Sequence, residues 1–542
     1  MVRTLFTLAA LLMVLAIAAV MGCTSTAGTS QAAGNNTAAG HMAPPGGNST
    51  GMQNGPPGGV SFNGTAPSGM GPGGQNGLGG GTMTAGQSSM AGGSPSNGMG
   101  SDGKGGSSAG NSTMVGSGPS GQPPSGSMGS GGPGDAPGGS SGSSSYTFSG
   151  TYTLNGGTAT ETNPTYMSTT QDVSGVYVTN GGVLTLTNPT ITTSGDSSSN
   201  DASSFYGLNG GVLVNNGSSV TITGGTITTT GSGANGVIPT GSGSSATLSD
   251  LTITASGNGA HGVMATQGGT LTLTNVNIAT TGGSGAPLAT DRGGGTVTVT
   301  GGVITSGTGN SPGIYSTGVI MVTGAKITST GSEAAVIEGF NSITLNDTDI
   351  AGVAGTTGGV MIYQSMSGDA TTGTGTFTMT GGSFTSSGGP AFFVTNTDGV
   401  IKLTGVAVTS TSDTLIKAAG TSRWGTSGKN GGIVSFTADG ETLSGNLVTD
   451  NISSIAVTLQ NSSSLSSSIN SAALTLDATS SWTVTGDSAL TSLSDSSGIS
   501  GTSITNIYGN GHTVTYDSSL AANSALGGKT YMLNGGGTLD PA

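Results

Sequence analysis

Cysteine occurs once in 542 residues, at Cys23, and histidine only three times. A disulfide framework within the chain is excluded, and a thiolate or imidazole metal centre lacks its ligands. Charged residues make up 6% and aromatic residues 4%. Amphipathic helical proteins carry far more charge, so repetitive β structure or disorder is expected instead. Lys and Arg total 9 against 23 Asp and Glu, a net charge of −14, with no basic cluster. Nucleic acid is therefore not an expected partner. The acids are scattered and no calcium-binding nonapeptide repeat occurs, so no cofactor or metal is expected either. What the chain has in abundance is glycine, 107 residues of it, together with Ser, Thr and Asn.

The opening "MVRTLFTLAALLMVLAIAAVMGC" carries Arg3 and then an apolar run from Leu5 to Val20. The run is short for a membrane span, which needs roughly 20 apolar residues, and it fits the core of a secretory signal. "VMGC" resembles a lipoprotein lipobox: apolar Val20, small Gly22, then the thiol of Cys23. Met21 departs from the usual small residue, and an ordinary cleaved signal with an incidental cysteine is the alternative. The resemblance implies a signal over 1–22, lipidation at Cys23, and an exported protein held at the cell surface by membrane lipid. An acyl chain contributes about 0.8 kcal/mol per buried methylene.

Residues 23–143 hold twelve of the 19 prolines and only three charges, Asp102, Lys104 and Asp135. Nothing apolar and periodic repays the entropy of ordering, so this segment reads as a disordered linker. As a flexible coil of about 120 residues it would reach roughly 60 Å.

A repeat then begins, and 144–440 shows it clearly. "GANGVIPT" and "GAHGVMAT" open neighbouring units. A first strand recurs at Val176, Val212, Val237, Val263, Leu288, Ile314, Val336, Ile362, Phe393 and Leu415, mostly 22 to 26 residues apart. A second follows as "LTL", "VTI" or "VTV", and a third, shorter one as "TIT" or "SFT". Turns such as Gly224–Gly225, Ser249–Asp250, Gly301–Gly302 and Gly381–Gly382 separate them. Self-similarity at this period means a solenoid. Three short strands with no room for helices predict an all-β parallel β-helix of about 10–14 coils, preceded by the linker. Apolar residues alternating with Thr put one side inward. The ladder Leu186, Ile222, Leu248, Leu273, Val299, Val322, Leu345, Met379, Leu403 should form the interior. Residues 441–542 read as looser coils and a cap. A β-propeller is the competitor, but its blades need about 40 residues.

With these repeats, and the ending "ALTLDATSSWTVTGDSALTSL", "GNGHTVTYDSSL" and "GGKTYMLNGGGTL", residues 146–540 resemble right-handed parallel β-helix proteins of the pectin-lyase-like kind. Those found on microbial surfaces are adhesin-like lipoproteins. The resemblance implies adhesion or recognition, with an extracellular polysaccharide or surface glycan as partner. It equally raises the enzymes of the fold, polysaccharide hydrolases and lyases. Their hydrolase pattern is met only by "NTDG" at Asn396–Gly399: no adjacent Asp pair occurs, His512 sits in "GHT", and no Arg-x-Lys follows. For a lyase base the repeat region offers only Arg292 and Arg423 as arginines. Catalytic residues are therefore not assigned. Recurrent Thr-x-Thr pairs also resemble the faces of ice-binding solenoids, although Met321, Asn346 and Lys402 interrupt them, and a purely structural role stays open.

One stretch concentrates other chemistry: Asp291 and Arg292 in "ATDRGGG", Tyr315 in "GIYSTG", Glu338 in "AVIEG", Tyr363 and Gln364 in "MIYQS". With Val263, Leu288, Ile314, Val336 and Ile362 inward, Met264, Tyr315, Ile337 and Tyr363 point outward. An aromatic stripe edged by acid, base and amide suits stacking on sugar rings. These six residues are the candidate ligand-binding set, with the tyrosines expected open to solvent. The competing readings are a stripe roofed by a loop, and an Asp291–Arg292 ion pair that merely steadies a turn.

Overall fold

The computed structural model describes residues 146–353 and 355–542. The expected lipidation site at Cys23 and the expected segments 1–22 and 23–143 lie outside the described residues. Each turn of the chain gives one strand to each of three parallel sheets. Val263–Ala265, Gly269–Thr274 and Asn277–Thr280 form one turn; Leu288–Thr290, Gly295–Thr300 and Val303–Ser306 form the next. Sheet neighbours are three strands apart in sequence, giving a first sheet of 12 strands, a third of 10 and a second that extends to 22. The fold is a right-handed parallel β-helix with three strands per coil. Stacking 12 strands at about 4.8 Å makes the first sheet about 50 Å long.

The interior ladder is continuous. Ile222 pairs with Leu186 and Leu248, Leu273 with Val299, Val322 with Leu345, and Met379 with Leu403. Strand Gly269–Thr274 alternates strictly between buried Gly, Leu, Leu and exposed Thr. Further along, Phe392 lies between Phe384, Phe377 and Phe436, with ring centroids 5.2, 6.2 and 5.7 Å away.

The recurrent glycine before the first strand has a steric cause. A Cβ on Gly211 or Gly236 would stand 2.7 Å from Cγ2 of Ile227 or Ile253 in the third sheet, and one on Gly262 would meet Cγ2 of Ile278 closer still. Nothing larger than hydrogen fits where these sheets converge.

The first-strand column needs correction beyond Ile314. Ile314 stacks on Ala335, then Val360, Phe392 and Ile416 follow, so Val336 and Phe393 face outward and Ile337 faces inward. Ile362 stays inward but stacks on Ile337, and Leu415 sits at a register shift. Strands Ala335–Glu338, Val360–Tyr363 and Phe392–Thr395 are buried at every position. Where both faces are covered, alternation disappears and register loses its signal.

Later turns shrink to two strands. Ser454–Gln460 and Ser464–Ser467 are followed by Ala472–Leu476 and Ser481–Val484. The chain closes with a 3-10 turn, Ala521–Leu526, and an antiparallel pair, Tyr531–Asn534 with Thr538–Pro541. Tyr531 Oη donates to Leu526 O at 3.0 Å, tying the two together.

Candidate functional site

The outer face of the first sheet carries a second apolar cluster. Met264, Ala289, Tyr315, Val336, Met361 and Phe393 stack in one outward column. Tyr363 projects from the neighbouring column, directly beside Glu338 on the next coil. Placing Tyr315 and Tyr363 outward agrees with the sequence reading; their exposure does not. Tyr315 is 1% and Tyr363 4% exposed. Asp291, Glu338 and Gln364 are buried as well, and Arg292 alone of the six has a partly open side chain.

Inserted segments roof the stripe. From the N-terminal side comes the helix Asn200–Tyr206, started by the Ser199 side chain accepting from Ala202 N at 3.1 Å. It is fixed over the sheet by Thr266 Oγ1, which donates to Phe205 O at 3.0 Å. From the C-terminal side come residues 364–374 and a loop carrying Trp424, whose ring centroid lies 5.0 Å from that of Tyr363. Arg292 joins the first two. Its guanidinium lies 3.8 Å from the centroid of Phe205, and its Nη2 pairs with Asp369 Oδ1 at 2.6 Å. The expected Asp291–Arg292 turn pair is thus replaced: Asp291 Oδ1 accepts from the Arg292 backbone N at 2.7 Å, while the side chain goes to Asp369.

Beneath the roof, Glu338 collects hydroxyls. Tyr315 Oη and Tyr363 Oη donate to Oε2 at 2.6 and 2.9 Å, and Ser365 Oγ donates to Oε1. Burial pushes the Glu338 carboxyl up against the lowering effect of those donors. Burial, then nearby Asp369, pushes Asp291 well above the carboxylate range. Tyr315 is held as a neutral phenol by burial and the adjacent Glu338. Gln364 donates through Nε2 to Ser365 O and Ala370 O at 3.4 Å, and its Oε1 is buried without a partner. Among the described residues no group of three or more His, Cys, Asp or Glu is placed to hold a metal ion.

Next to this cluster a cleft of about 330 Å³ opens to solvent. Val336 and Met361 give it an apolar floor, Tyr363 and Trp424 an aromatic wall, and Asn310, Ser332, Glu333, Thr357 and Arg423 a polar rim. Arg423 lies over the Trp424 ring at 4.6 Å, and Glu333 accepts from Ser332 and Thr357. The floor and Tyr363 belong to the stripe and Trp424 to its roof, and Tyr363 is the one candidate residue that lines the opening. Sequence reasoning missed Trp424 and Glu333, and named Arg423 only as one of two arginines available to a lyase. A tryptophan, one of two in the chain, inside the long insertion after Ala418 was the available signal. A larger hollow, about 430 Å³, lies on the second sheet against Val400, Ile433 and Ala456, but no aromatic residue lines it. Chemistry rather than volume favours the smaller one.

Comparison of the chain with protein-family models and with curated proteins finds no match.

Proposed function

We propose that this is an exported, lipid-anchored surface protein whose β-helix recognises extracellular carbohydrate at the Trp424 cleft. The observation that carries the reading is the pairing of an aromatic wall, Tyr363 and Trp424, with a rim of carboxylate, guanidinium, amide and hydroxyl groups. Sugar rings present an apolar face and a hydroxyl edge, and such a cleft meets both. About 330 Å³ accommodates a short stretch of glycan rather than a large partner. In this reading Cys23 carries the acyl anchor and residues 23–143 are the spacer. A polysaccharide-cleaving enzyme is the competing reading; the buried Asp291 and Glu338 have the residue type for it but lie under the roof, and the buried Asp369 belongs to the roof itself.

The test combines a glycan array with polysaccharide digestion. Binding without released oligosaccharide is expected, and released product would make the protein an enzyme. Trp424→Ala should weaken binding about thirtyfold, the usual cost of about 2 kcal/mol for a stacking aromatic. Trp424→Phe should keep most of the affinity. Wild-type binding by the alanine variant removes the cleft from the reading.

A further inference from the structure

Residues 364–374 leave the end of strand Val360–Tyr363 and cross back over the sheet as far as Arg292. The crossing is fixed near its two ends. Asn396 Nδ2 donates to Gln364 O at 2.7 Å, and Phe340 N donates to Thr371 O at 2.8 Å. Between those points its grip on the sheet consists of side chains, Ser365 to Glu338 and Asp369 to Arg292.

The closed arrangement is polar and imperfectly matched. Asp369 Oδ2 and Gln364 Oε1 are buried without partners. Closure leaves these two oxygens without the hydrogen bonds that water would supply. Asp201, Asp291 and Asp369 all act electrostatically around the single guanidinium of Arg292. At the middle of the crossing, Gly368 takes φ +78° with open space around it, and Met366 is 58% exposed. What lies underneath adjoins the cleft through one shared residue. Tyr363 lines the opening, while its hydroxyl meets Glu338 below the crossing.

We propose that residues 364–374 form a lid, and that Tyr315, Glu338 and Asp291 beneath it are a second carbohydrate subsite extending the Trp424 cleft. This rests on reading that cleft as a carbohydrate site. On opening, Glu338 exchanges the Ser365 hydroxyl for a sugar hydroxyl, and the two phenols and Asp291 come within reach of the same ring. Two further coils, at about 4.8 Å each, lengthen the cleft by about 10 Å, enough for an additional sugar unit or two.

The experiment uses the full chain and its Ser365→Ala/Asp369→Ala variant, which removes both side-chain holds without touching the cleft. Tetranitromethane reactivity is read by peptide mass spectrometry at Tyr315 and Tyr363, with the exposed Tyr206 and Tyr508 as internal references. Both buried tyrosines should become reactive in the variant at an unchanged melting temperature. Deuterium exchange in the wild type should be fast at 365–370 and slow in the strand before it. Pectin- and chitin-derived oligosaccharides of two to eight units then test the subsite. The variant should bind the longer members at least tenfold tighter than wild type does, and the shortest equally. Unreactive tyrosines with slow exchange at 365–370 overturn the lid. Reactive tyrosines with no length dependence overturn the subsite. Reactive tyrosines with no oligosaccharide bound by either protein sink the cleft's carbohydrate reading and the subsite with it, while the lid stands.

Discussion

Val299 is 1% exposed between Leu273 and Val322, whereas Thr298 faces outward between Thr272 and Met321. Aspartate at these neighbouring positions should therefore behave very differently. Val299→Asp places a carboxylate between apolar coils and should cost several kcal/mol, visible as a large loss in melting temperature. Thr298→Asp should cost under about 1 kcal/mol. Equal losses would mean the alternation is wrong. At this scale the sequence was informative wherever one face of a strand meets water: all nine residues from Leu186 to Leu403 lie in the inferred ladder. Val336 and Phe393 were misplaced by one residue because "AAVIEG" and "AFFVT" are apolar on both faces. Their unbroken apolar runs were themselves a sign that the outer face is covered.

At the scale of elements, the roof decides what the candidate residues can do. Phe205, Asp369 and Trp424 come from insertions far along the chain from Arg292 or Tyr363. No local pattern ties an insertion to the coils it will cover, so burial of the stripe was not legible even though its outward direction was. The covered acids set a pH dependence. Burial, then Asp369, raises Asp291, and burial raises Glu338; Asp201, Asp369, Arg292, Tyr315, Tyr363 and Ser365 surround them. Unfolded or uncovered, both carboxyls titrate near pH ~4. Below that value both states are protonated and the covered form has its full stability. As pH rises through the raised values the covered form loses stability, because it alone still holds the protons. Asp439, lowered by Asn461 and then Gln460, acts in the opposite sense, losing its contribution as pH falls through its depressed value. Protection from deuterium exchange at residues 364–374, after correction for the intrinsic rise of amide exchange with pH, should therefore fall as pH rises above about 4. Glu338→Gln should flatten that slope; a slope identical to wild type would remove Glu338 as its source.

At the scale of the molecule, the repeat made the architecture legible before any side chain was placed, since a coil of 22 to 26 residues with three strands admits few alternatives. The narrowing to two-strand turns after Thr449 had a weaker signature, because those later turns keep the same Ser, Thr and Leu alternation. The proposed anchor is tested separately from the rod. Cys23→Ser should shift the protein from the membrane fraction to the medium or leave it unprocessed, and should abolish incorporation of a labelled fatty acid. A mutant that stays in the membrane with the wild-type mass shows that Cys23 is not the anchor.

The direction of the ladders bears on what such a rod does under load. Its strands lie across the long axis, so the hydrogen bonds between coils point along it, as from Val183 N to Gly157 O and from Ser219 N to Gly182 O. Tension applied at the N-terminal coil and resisted farther down meets these bonds end-on, one coil's set at a time. Failure then begins at Ser149–Asn155 and advances by whole coils, each releasing about 25 residues, or about 80 Å of extended chain. A surface held through its N-terminal end would yield in measured steps, spending length before it loses its grip.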